Sequence, residues 1–190
     1  MKAIKIIGII LLAFGVIGGI AVFTQPARGH VEKSIVIDAP PAAVFKVVNS
    51  FKSFNKWSPW AKMDLDTKYT FEGPESGVGA KLSWESRKVA VGKGSQWIEA
   101  SVENEKVKIG LAFEGNDSKE HAVFILAPMG GGTTLTWTFD GENVGVKGKT
   151  MWLLMNVMLN DVYEQGIMDL KGYIESIPGD STERKISLTK

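Results

Sequence analysis

From Ile6 to Phe23 the chain reads IIGIILLAFGVIGGIAVF, without a charged side chain. A helix that is apolar on every side needs lipid or a large core around it, and this run reaches the length that spans a bilayer. Lys2 and Lys5 precede it, while Arg28 and Lys33 follow beside Glu32. That balance leans weakly toward a cytoplasmic N-terminus, with the rest of the chain outside the cytoplasm. The run exceeds the apolar centre of a signal peptide, and Ala21-Val22-Phe23 ends in a residue unsuited to cleavage. An uncleaved single-pass anchor is therefore expected over residues 1–29, with secretion after cleavage as the alternative. Gly15 and Gly19 have the spacing of a helix-packing face, which leaves the oligomeric state open. The linker TQPARGH, residues 24–30, spans at most about 25 Å when extended, so whatever follows works close to the membrane.

The soluble remainder of this 190-residue chain has the length of one domain, expected over residues 30–178, with a polar tail at 179–190. There is no cysteine, and a net charge of +1 carries no nucleic-acid footprint. Hydrophobic periodicity sets the element types. VEKSIVID has apolar residues at Val31, Ile35 and Ile37, with Lys33 breaking the alternation, and reads as a strand stopped by Ala-Pro-Pro. Pro40 and Pro41 suit a helix's first turn, and Val44, Phe45, Val47 and Val48 supply its apolar face. A second short helix is predicted over 50–56, before Pro59.

From Leu65 to Asp140 the period becomes two, punctuated by glycine-rich turns at 73–79 and 128–132 and by polar ones at 103–106 and 114–118. Leu135, Trp137 and Phe139 share one face of the last strand, and Thr134, Thr136 and Thr138 share the other. Beyond GENVGVKGKT the spacing turns helical again. Trp152, Met155, Leu159, Val162, Gly166, Leu170, Tyr173 and Ile177 form a stripe on one long helix, about Met151 to Ser176, that would cover the apolar face of the sheet.

The segment SIVIDAPPAAVFKVVNSFKSFNKWSPW at 34–60 resembles the opening of the SRPBCC superfamily, in which a strand ending in Ala-Pro leads to a helix and a Trp-Ser-Pro-Trp corner. FEGPESGVGAKLSWES at 71–86 and VGKGSQWIEA at 91–100 are similar to the middle strands of its polyketide cyclase/dehydrase-like branch. The superfamily also includes START lipid-transfer and birch-pollen-allergen-like proteins. The resemblance covers nearly all of residues 31–177. It implies an α+β helix-grip fold: a curved antiparallel sheet of about seven strands wrapped around a long C-terminal helix, here preceded by a transmembrane helix. It also implies an apolar cavity between sheet and helix. By fold analogy the cavity would bind a hydrophobic small molecule or lipid.

Residues expected to line that cavity are Trp60, Tyr69, Trp84, Trp97, Phe113, Phe124, Trp137, Met155, Leu159 and Tyr163. Met151, Met158 and Met168 belong to the same methionine-rich helix, as adaptable apolar filling. Trp57 and Trp60 are expected to pin the short helices to the sheet's open end, each indole N–H finding a partner. The catalytic repertoire is thin. His30 and His121 stand far apart and His121 has no nucleophile motif beside it, so no metal and no cofactor are expected. Glu99, in parity with Trp97, is the one speculative acid or base, though a solvated carboxylate is the simpler reading. Asp64-Leu65-Asp66 reads as a solvated turn, and Asn116-Asp117-Ser118 matches a glycosylation acceptor in form only. Three functions stay open: a membrane-tethered binding protein, which the resemblance favours; a cyclase or dehydratase on an aromatic or polyketide-like substrate; and an interaction domain with a filled core.

Overall fold

The computed structural model describes residues 2–115, 120–142 and 145–178. Helix α1 (Lys2–Phe23) projects from the rest of the chain. Its segment Ile4–Phe23 is the one described helix long and apolar enough to cross a membrane, and none of it is buried in the protein. Strand β1 (Arg28–Ile37) starts earlier than the sequence suggests, so residues 24–27 alone connect it to α1. Gly29 permits this: a Cβ there would come within 2.4 Å of the Trp152 indole. Lys33 interrupts the apolar alternation of β1 because it reaches across to the terminal helix, its Nζ 3.1 Å from Glu164 Oε2.

The chain then forms α2 (Pro41–Val48), whose Val44, Val47 and Val48 are buried, and two single-turn helices, α3 (Phe54–Trp57) and α4 (Pro59–Met63). Sequence spacing suggested one short helix here. Pro59 ends the first and, with its fixed φ, opens the second. Strands β2 (Lys68–Glu72), β3 (Lys81–Glu85), β4 (Lys93–Val102), β5 (Lys106–Phe113), β6 (Glu120–Met129) and β7 (Gly132–Glu142) follow, and α5 (Gly145–Ser176) closes the fold. That last helix begins about two turns before the sequence-predicted Met151.

All strand pairs are antiparallel, and β1 closes beside β7 to give the order β1-β7-β6-β5-β4-β3-β2. The register aligns Val31, Phe139, Ala122, Ile109 and Ile98 in one row across five strands, and every one of them is buried. Helix α5 lies across this concave face. It passes closest at Gly166, where a Cβ would meet the Trp137 ring at 2.8 Å and Pro59 at 3.2 Å. The β6–β7 turn is built by Gly130 and Gly131, both at positive φ, the geometry that matches strand twist in a two-residue hairpin. The Asn116-Asp117-Ser118 pattern and the tail at 179–190 lie outside the described residues.

Candidate ligand cavity

Sheet and helix enclose a cavity of about 750 Å³. Its inner wall is a continuous aromatic cluster. Trp137 is tilted against Tyr163, with ring centroids 4.1 Å apart, and stacks on Phe124 at 5.2 Å. Trp57 meets Trp137 edge-on at 5.7 Å, and Trp60 meets Tyr163 edge-on at 5.9 Å. Edge-on and offset contacts of this kind add to the burial energy of each ring and fix their orientations. At the other end Trp84 packs edge-on against Phe113 at 5.5 Å, and its Nε1 donates to the Val91 carbonyl at 3.1 Å, tying the β3–β4 loop to the rim.

The structure brings together nine of the ten residues expected to line the cavity: Trp60, Tyr69, Trp84, Phe113, Phe124, Trp137, Met155, Leu159 and Tyr163. Trp97 is not among the lining residues. In β4 it is Gln96 and Ile98 that pair with Leu111 and Ile109 on the concave face, which turns Trp97 to the convex side opposite Gly110. The indole fills the space that a Cβ at Gly110 would need, 2.6 Å away. Glu99 also faces outward, at a bulge between Ile98 and Ala100 that places two residues against Lys108. Its Oε2 is 2.9 Å from Lys108 Nζ and 3.3 Å from His121 Nδ1. Away from the cavity, that carboxylate is an ion-pair partner.

Sequence reading missed Gln96, Phe139, Trp152 and Trp57 as lining residues. Gln96 is the informative omission: its side chain is 6% exposed, and Nε2 has no hydrogen-bond partner among the described residues. The Nε1 atoms of Trp57 and Trp137 are likewise buried without a partner, contrary to the expectation that the Trp57 N–H would find one. Met151 and Met158 line the cavity, whereas Met168 is exposed.

Two hydroxyls complete the wall. Burial pushes the Tyr163 phenol far above its ordinary value, and the carboxylates of Glu120 and Asp140 add to the effect. Burial likewise raises Tyr69. Both are therefore neutral hydroxyls at neutral pH. Asp64, read as part of a solvated turn, is buried instead. Its carboxylate accepts from Ser86 Oγ and, at 3.2 Å, from the Asp66 N–H. Chiefly the Ser86 bond holds its pKa below the usual range. Among the described residues no cluster of three or more histidine or acidic side chains is arranged to hold a metal ion.

A curved antiparallel sheet gripping one long helix around an apolar cavity defines a helix-grip ligand-binding domain. The chain belongs to the polyketide cyclase/dehydrase and lipid transport family, whose sequence profile matches residues 28–175. No curated protein matches the sequence. Among solved structures, a protein of Nitrosospira multiformis is similar at 22% identity and a TM-score of 0.57, over 78% of this chain and 97% of that one. The KanY protein aligns at 15% identity and a TM-score of 0.59 over 80% of this chain and 100% of its own. The allergen Ara h 8.0201 aligns at 15% identity and 0.51, over 78% and 99%. At these identities the likeness concerns the fold.

Proposed function

We propose that this protein is a membrane-tethered carrier or receptor for an apolar small molecule or lipid bearing a hydrogen-bond acceptor. The observation that carries this reading is the pairing of an aromatic cavity of about 750 Å³ with the unpartnered amide of Gln96 in its wall. The volume falls within the range of small-molecule sites. A buried donor without a partner costs about 1–3 kcal/mol, which an acceptor oxygen on the bound molecule recovers. The apolar wall supplies affinity and Gln96 supplies orientation, with the Trp137 N–H and the Tyr163 hydroxyl as further polar groups.

The cyclase or dehydratase reading needs a group able to move a proton beside the bound molecule. The tyrosine hydroxyls of the inner wall are held protonated, the lining residues Glu114, Glu142, Lys93 and Lys147 are exposed, and the half-buried lining carboxylate of Glu120 is already engaged by another group. This distribution favours binding over turnover. Helix α1 serves as the anchor, and the flanking charges lean toward the extracytoplasmic side for the domain. Reporter fusions at each terminus test that topology, and an active cytoplasmic reporter at the C-terminus overturns it.

The binding reading is tested by mass spectrometry of small molecules that co-purify with the full chain. One apolar compound per chain, enriched over bulk lipid, is expected. Trp137→Ala should lose it, and Gln96→Leu should weaken its retention about tenfold, the worth of one buried hydrogen bond. Glu99→Gln, on the convex face, should retain it fully. Extracts identical to bulk lipid, after exposure to lipids and in the wild type, would move the domain to the filled-core interaction class. Conversion of an added substrate that Gln96→Leu or Tyr163→Phe abolishes would make it an enzyme.

A further inference from the structure

Helix α5 has a second apolar face that the grip does not use. Val146, Leu153, Leu154 and Val157 all project on the side away from the sheet, with Leu154 71% and Val157 68% exposed. One turn further on, the exposed positions are the acidic Asp161 and Glu164, the latter reaching Lys33 at the edge strand β1. Apart from Met168, exposed but isolated among polar neighbours, the apolar stripe lies in the first half of the helix. That half is also where α1 arrives: Lys149 Nζ donates to the Phe23 carbonyl at 3.1 Å, capping the end of α1 against the second turn of α5. The mouth of the cavity lies at the same place. Lys147 and Met151 of α5 form one side of it, and the β3–β4 loop forms the other, with Val89 at 99% exposure.

We propose that the first four turns of α5 lie in the surface of the bilayer that α1 spans, so that the cavity opens onto lipid. This rests on the reading of α1 as a membrane anchor. The twenty-residue segment Ile4–Phe23, apolar but for Lys5 at its start, extends about 30 Å as a helix, the thickness of the hydrocarbon layer, so the last turn of α1 marks the membrane surface. The contact at Phe23 holds the second turn of α5 at that level. Exposed leucine and valine side chains gain by entering the acyl region, while Lys147 can extend to the headgroups. A partner protein would have to find this patch. The bilayer is beside it in every molecule that carries α1. The bound molecule then passes between membrane and cavity without crossing water, which suits a ligand with few polar atoms.

The chain has no cysteine, so single cysteines report position directly. The full chain is reconstituted in phosphatidylcholine vesicles with an environment-sensitive fluorophore on Ile10→Cys, Val89→Cys, Leu154→Cys, Val157→Cys or Glu75→Cys, and quenched by nitroxide-bearing lipid. Labels at 10, 89, 154 and 157 should be quenched several-fold more than the label at 75, which points to water. Adding Leu154→Glu and Val157→Glu should abolish the excess quenching at 89 and leave that at 10. Lipid quenching at 10, with 89, 154 and 157 behaving like 75, overturns the docking while the anchor stands. Absence of quenching at 10 overturns the anchor and the docking with it. Labels at 154 and 157 shielded from aqueous iodide, unquenched by lipid and uncovered on dilution, would assign the stripe to a second copy and overturn the proposal.

Discussion

Gly166 and Gly172 sit on one helix and make opposite predictions. Alanine at either gains about 1 kcal/mol of helix propensity. At Gly172 nothing lies within 4 Å of the new Cβ, so Gly172→Ala should stabilise by nearly that amount. At Gly166 the methyl meets the Trp137 ring and Pro59, two groups unable to swing aside, and overpacking of this kind costs about 1–3 kcal/mol. Gly166→Ala should therefore lower stability on balance in urea titrations. Asp64 makes a prediction about pH. Its pKa in the fold lies below the ordinary 3.8, so its contribution is complete above that value and is lost as pH falls through the lower folded one. The stability gap between wild type and Asp64→Asn should narrow as pH drops below about 4. A gap independent of pH would remove the ionised form from the account. Neither role was legible beforehand, because the distance from Asp64 to Ser86, twenty-two residues on, is set by how β3 folds back.

At the scale of elements, hairpins and strands were legible wherever turn chemistry and alternation agree. Gly130 and Gly131 mark such a place, and Gly130→Asn should stabilise by a few tenths of a kcal/mol. Asparagine tolerates the left-handed region, no atom lies within 4 Å of the new Cβ, and the unfolded chain loses freedom. A lower melting temperature for that variant would contradict the turn assignment. Strand β4 shows where alternation alone fails. Trp97 and Gln96 are adjacent and either could have faced inward; hydrophobicity favours tryptophan, yet the register with β5 turns the glutamine in. The reason is pairwise: the indole needs a glycine opposite it and finds Gly110, while Ile98 has to join the buried row. The start of α5 was missed for a related reason. Its first turns, from Gly145, contain two glycines and little amphipathic signal toward the sheet, and their one apolar side chain, Val146, is exposed.

For the whole molecule, loading and stability are linked. A compound present at a hundred times its dissociation constant adds about 2.7 kcal/mol to a protein that binds it only when folded. For a chain of this size that corresponds to a rise of roughly 5–10 °C in melting temperature. Stripping lipid from the purified protein should lower the transition by that order, and restoring the extract should return it; a transition indifferent to extraction would weigh against a ligand-filled core. The apolar N-terminal helix, the alternation of the sheet, the long closing helix and most of the aromatic lining were written in the chain, because those follow from local periodicity. That Trp97 and Glu99 leave the cavity and Gln96 enters it, that Asp64 is buried, and that α1 meets α5 beside the cavity mouth emerges only in three dimensions. These depend on strand register and on contacts between distant segments, which no local pattern records.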